Sequence, residues 1–212
     1  MMEQRILSSL YVAAFALFFF FTGCLSVERS YPEKRYYIID VPRRADVSPP
    51  ETGAFLRIRK FRVSPLYEGK GFVYFKGNMG YESDFYNEFF ISPGALLNEQ
   101  VRQWLAGSGL FQYVVDSPSH VESTYILEGS VTALYGDYSE SRSPKAVLEM
   151  RFYLIKDVSA RSEIVFQKQY RQEIPLKGLS PEALVKGWNE ALLKILIDFE
   201  NDLREKALKA GS

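Results

Sequence analysis

Three stretches in the second half of the chain leave little choice of architecture. In YILEGSVTALYGDYS (125–139), Tyr125, Leu127, Val131, Ala133 and Tyr135 alternate with Glu128, Ser130 and Thr132. In AVLEMRFYLIKD (146–157), Ala146, Leu148, Met150, Phe152 and Leu154 alternate with Glu149, Arg151 and Tyr153. In EIVFQKQYRQE (163–173), Ile164, Phe166 and Tyr170 alternate with Gln167, Gln169 and Arg171. A period of two sends successive side chains to opposite faces, so each stretch predicts a strand with one buried and one wet face. Their short connections predict an antiparallel meander.

Such a sheet needs a cover for its apolar side, and the last stretch (180–209) supplies one. Ser180 and Pro181 mark a helix start, and Leu184, Trp188, Leu192, Ile195, Phe199 and Leu203 recur every three to four residues. A second helix is predicted over 92–109, with Ser92 as N-cap, Pro93 as first residue, and Gly107 and Gly109 as stops. Its apolar face is Leu97, Val101, Trp104 and Leu105. Upstream, 35–42 and 54–63 read as strands, and 71–77 and 80–89 as a hairpin turning over Gly77-Asn78-Met79-Gly80. The polar stretch 43–52 reads as a linker. The expected fold class is α+β: a mostly antiparallel sheet with two amphipathic helices packed on one face, a two-layer sandwich.

The N-terminus is different in kind. Residues 6–21 (ILSSLYVAAFALFFFF) are apolar and follow a short polar start, MMEQR. That is short for a membrane-spanning helix, which needs about 20 apolar residues, and it fits the core of a secretory signal peptide. Phe21-Thr22-Gly23-Cys24 then resembles a bacterial lipobox, with the only cysteine of the chain at its end. The resemblance implies cleavage before Cys24, a diacylglyceryl group on its thiol and an acyl chain such as palmitate on its new amine. Two or more chains anchor stably where one does not. Leu25, standing where Asp commonly signals inner-membrane retention, implies the outer membrane by the same sorting resemblance. The expected organisation is a signal peptide over 1–23, a lipidated tether over 24–34 and one domain over 35–209. Ten extended residues, 25–34, reach at most roughly 35 Å.

Composition excludes several functions. The chain carries 26 basic and 26 acidic residues, and removing 1–23 takes away one of each, so it lacks the basic excess of a nucleic-acid binder. One His and one Cys cannot build a structural zinc site. His120 lies in a loop-like stretch and reads as an exposed loop histidine. No G-x-S-x-G elbow or phosphate loop is present. The expectation is a protein that is not an enzyme and has no catalytic residues, metal or cofactor.

The densest aromatic run is Tyr81, Phe85, Tyr86, Phe89 and Phe90, followed by Pro93. It has two readings, a contact surface for a partner or lipid, or aromatics entering the core from a strand edge. The same block, YESDFYNEFFISPGALLNEQVRQWLAGSGLFQYVV (81–115), resembles the ABC-type transport auxiliary lipoprotein family, the PqiC-like proteins. So do Arg35-Tyr36-Tyr37 after the lipobox, LRIRKFRVSPLYEGKGFVY (56–74), the strand pair over 125–139 and 146–155, and the closing helix from Ser180. The family often has Trp before the Pro of the block, where Phe89 and Phe90 stand here. The resemblance implies an outer-membrane lipoprotein on the periplasmic face. It would be a docking or structural component of an MCE-type ABC system that moves lipid between membranes. Its implied partners are an MCE-domain protein, the membrane through the lipid anchor, phospholipid and further copies of itself, with no nucleic acid. A lipid carrier, the alternative, needs a cavity of roughly 300 Å³ or more. An outer-membrane assembly scaffold is the other alternative.

Overall fold

The computed structural model describes residues 32–43, 50–116, 122–140, 142–158 and 161–207. Cys24, His120, the signal-peptide stretch and most of the tether and linker lie outside the described residues. In order, the elements are β1 (Arg35–Tyr37), β2 (Phe55–Ile58), β3 (Arg62–Val63), β4 (Gly71–Gly77), β5 (Gly80–Phe89), α1 (Pro93–Ala106), β6 (Tyr113–Asp116), β7 (Tyr125–Asp137), β8 (Lys145–Val158), β9 (Arg161–Pro175) and α2 (Pro181–Asp202). A 3₁₀ turn over Pro65–Tyr67 follows β3, and a π turn over Leu203–Ala207 ends α2.

β7 is the axis of the sheet. One edge pairs antiparallel with β8, which pairs antiparallel with β9. The other edge is shared along its length by β2, β3 and β4, all parallel to it. β6 lies parallel beyond β2, β5 antiparallel beyond β4, and β1 parallel beyond β5. The sheet is therefore mixed, which corrects the expectation of a mostly antiparallel one. The long ladders are antiparallel, and the parallel ones are short. Parallel neighbours need long crossovers, and the first half of the chain supplies them, with α1 carrying the chain from β5 to β6. The strand expected over 54–63 is also broken, with exposed Arg59 and Lys60 between β2 and β3.

α2 follows its apolar stripe: Leu184, Trp188, Leu192, Ile195, Phe199 and Leu203 are all fully buried. Each such side chain contributes about 1.5–3 kcal/mol before the entropy of ordering is counted. Ser180 Oγ caps the helix by accepting from the Ala183 N–H at 3.2 Å. Phe199 stacks on Phe152 of β8, centroids 4.2 Å apart, and Leu97, Val101 and Leu105 of α1 join the same core. A carboxylate ties the helices together. Glu200 accepts from Trp104 Nε1 (2.8 Å), Arg43 Nη1 (2.6 Å) and Arg204 Nη2 (3.1 Å). Burial works to raise the Glu200 pKa, but the two guanidinium groups outweigh it and hold the group below the usual carboxylate range.

Two bulges change which side chains face the helices. In β7, Val131 pairs with Met150 and Ala133 with Glu149, so Thr132 is an extra residue. Past it the phase reverses. Leu134 takes the inner side, and Tyr135, expected to share a face with Leu127 and Val131, turns to the outer face. In β9, Leu154 faces Phe166 while Ile155 faces Ile164, so Val165 is extra. Ile164, expected inside with Phe166, is 57% exposed.

Candidate functional site

β5 departs furthest from a regular strand. Gly71 pairs with Glu88 and Val73 with Ser83, so Phe72 alone stands opposite Asp84-Phe85-Tyr86-Asn87. The Asp84 carboxylate holds this bulge. Oδ1 accepts from the backbone N–H of Tyr86 (2.8 Å) and Asn87 (3.0 Å), and Oδ2 from Tyr74 Oη and Asn87 Nδ2, both at 2.8 Å. Burial works to raise the Asp84 pKa, but the four donors prevail and leave it below its ordinary value. Gly71 makes room, since a Cβ there would stand 2.6 Å from the Asp84 carbonyl oxygen.

The bulge connects to the start of the domain through a second set of polar contacts. Asn87 is buried, and its Oδ1 lies 3.3 Å from Tyr37 Oη. Tyr37 Oη donates to Glu182 Oε1 at 2.8 Å, and Arg35 Nη1 reaches the same oxygen at 2.9 Å. Burial, then the bond to Glu182, pushes the Tyr37 hydroxyl up to about 12. A donor that stays protonated across the accessible pH range keeps β1 fastened to α2 and β5.

With the backbone fixed in this way, the aromatic run divides. Phe89 is buried between Phe72 (4.8 Å) and Trp188 (5.3 Å), and Pro93 is buried at the first position of α1. Tyr81 lies on the outer face against Phe75 and Tyr135, in a cluster that includes Tyr67 stacked on Tyr135. Phe85 and Phe90 are 67% and 62% exposed, and Tyr86 is 38% exposed. Phe85 meets Tyr86 edge to face at 5.2 Å, and Phe90 meets Tyr36 of β1 in the same way at 6.1 Å. Lys34 Nζ sits 4.3 Å over the Phe85 ring and pairs with Glu88. Tyr36 and Ile38 are more than half exposed. The signal for Tyr36 and Ile38 lay in RYYIIDVP, which reads as a strand but does not reveal that it lies at a sheet edge.

A groove of about 640 Å³ opens elsewhere, between residues 40–43, Trp104 and the flank of α2 that presents Leu193 and Ile197. Among the described residues, no group of His, Cys, Asp and Glu could hold a metal, and no helix is long and apolar enough to cross a membrane.

These elements define an α+β domain in which a mixed sheet, built around one long central strand, carries two helices. No family model and no curated protein matches the chain. Solved structures share its fold. The chain is similar to protein XCC0632 from Xanthomonas campestris, of the DUF330 family, with a TM-score of 0.69 and 15% identity over 80% of this chain and 94% of that one. It is also similar to an uncharacterized protein, with a TM-score of 0.64 and 16% identity over 81% of this chain and 99% of that one. At these identities the likeness is one of fold.

Proposed function

We propose that the protein is a lipid-anchored docking component of an MCE-type ABC lipid transport system, held at the periplasmic face of the outer membrane through Cys24. The observation that carries the reading is the aromatic edge of Tyr36, Phe85, Tyr86 and Phe90, exposed on backbone that the Asp84 bulge and the β1–β5 pairing hold in place. Aromatic side chains held rigidly at the surface lose little entropy on binding, and aromatic residues are enriched in the cores of protein interfaces. The edge begins at β1, directly after the tether. The lipobox resemblance and the fold shared with a DUF330 protein support the same reading.

The test is copurification of the full chain from membranes, followed by mass spectrometry. The expected result is an acylated Cys24 and a recovered MCE-domain protein. Phe85→Ala together with Phe90→Ala should reduce that recovery about tenfold or more, since a lost hot spot is worth at least about 2 kcal/mol. Repeated absence of an MCE component from an acylated sample would sink the proposal.

The groove beside Leu193 and Ile197 favours a second reading, in which the protein itself holds an acyl chain. At about 640 Å³ it exceeds the roughly 300 Å³ that a small-molecule site needs. Organic extraction of the purified chain should then release lipid, and Ile197→Arg should abolish it. Lipid-free protein, or lipid unaffected by that substitution, would leave docking alone.

A further inference from the structure

A second feature is electrostatic and lies away from the aromatic edge. Four cations fall within six residues of a chain that is neutral as a whole: Arg57, Arg59, Lys60 and Arg62. Between them, Ile58 and Phe61 are buried at 1% and 3% exposure. The turn from β2 to β3 is firmly seated. The Arg59 N–H donates to the Leu127 carbonyl at 2.9 Å, and Asn98 Nδ2 donates to the Arg59 carbonyl at 3.0 Å. The Phe61 ring lies directly on Gly129, where a Cβ would stand 2.6 Å from it, so only glycine admits the ring.

The cations beside these two anchors thus project from a fixed backbone. Arg59, Lys60 and Arg62 line a polar pocket of about 400 Å³ with Glu128, Ser130 and Tyr153. Arg59 pairs with Glu128. Among the described residues, the Lys60 ammonium, the Arg62 guanidinium and the Ser130 and Tyr153 hydroxyls have no side-chain partner. Arg62 and Ser130 are register neighbours across β3 and β7, which brings a guanidinium and a hydroxyl to one spot.

We infer that this pocket binds a phosphate group. Three cations against one carboxylate leave an excess of two positive charges, which matches a phosphate monoester dianion. The unpartnered groups offer an ammonium, a guanidinium fork and two hydroxyls, more donors than the two oxygens of a carboxylate can accept. The same chemistry serves a phosphomonoester lipid headgroup or a soluble phosphate.

The test is a titration of the full chain in neutral detergent with inorganic phosphate and with glycerol 3-phosphate, read by NMR at the Arg62 guanidinium. The expected result is a saturable shift that Lys60→Gln weakens about tenfold, as loss of one charge-assisted partner should, and that Lys60→Gln with Arg62→Gln abolishes, read there by calorimetry. Both side chains are exposed, so the variants should melt like the parent. Tighter binding of glycerol 3-phosphate than of inorganic phosphate, by about tenfold or more, would assign the pocket to a headgroup. Equal binding would assign it to free phosphate. No saturation with either probe, or saturation unchanged in the double variant, would overturn the inference.

Discussion

Asp84 carries more of the candidate site than any aromatic residue does. Its two oxygens accept four hydrogen bonds, two from the backbone of the bulge. An Asn there would keep one acceptor but turn an amide toward Tyr74 and Asn87, which already donate. Asp84→Asn should therefore cost about 1.5–3 kcal/mol, the usual value of a hydrogen bond to a charged group. The pH dependence follows from the sign of the shift. The native pKa is lowered, so the contribution is complete above the unfolded value of about 3.9 and is lost as pH falls through the native one. Denaturant midpoints of the two proteins should differ at pH 7 and converge toward pH ~2, in proportion to the protonation of Asp84. A constant difference at both pH values would mean that the bulge does not depend on this charge. None of this was legible in the sequence, where YESDFYNEFF stands out for its rings. A carboxylate that caps backbone groups two and three residues on leaves no periodic trace.

At the scale of the element, alternation was legible wherever a strand was regular and misleading past each extra residue. In β8 it is right throughout, with Ala146, Leu148, Met150, Phe152 and Leu154 all fully buried. In β7 and β9 a single inserted residue reverses the phase, and Tyr135 and Ile164 change sides. This has a consequence for deletions. Removing Thr132 would leave Val131 opposite Met150 and Ala133 opposite Glu149, the pairing already present. The fold should survive at the cost of about one hydrogen bond, ~1 kcal/mol, since Thr132 Oγ1 donates to Glu149 Oε1. Removing Glu128 from the regular part of β7 should unfold the protein, because one end of the strand must present the wrong face. Circular dichroism and thermal melts of the two deletions decide the matter. The β4–β5 hairpin was legible from Gly77-Asn78-Met79-Gly80, and its two central residues both have positive φ, 48° and 61°. Met79 is 92% exposed and gains nothing from packing there. Met79→Gly should raise stability by about 0.5–1 kcal/mol, read as a higher melting temperature, because only glycine takes that conformation without steric cost.

Across the whole molecule, the two helices and the strand meander followed from local pattern, while the parallel half of the sheet did not. Alternation is the same whichever way a neighbour runs, so the placing of β2, β3 and β4 along one edge of β7 depends on the crossovers between them. That arrangement decides which aromatics are structural and which are free. Phe89 faces inward onto Phe72 and Trp188, while Phe85 and Phe90, four residues before it and one after, face outward at the β1 edge. Stability and docking should therefore separate. Phe89→Ala opens a cavity beneath α2 and should cost about 3–5 kcal/mol. Phe85→Ala with Phe90→Ala removes only exposed rings and should shift stability by no more than about 0.5 kcal/mol per site. If the exposed edge is the docking surface, the double variant should melt like the parent and fail to recover a partner from membranes. Leu66→Ala, a truncation of an exposed apolar side chain in the 3₁₀ turn outside that edge, should change neither measurement. Full recovery by the Phe85 and Phe90 variant would return the surface to an incidental one, because nothing in the core needs those rings outside.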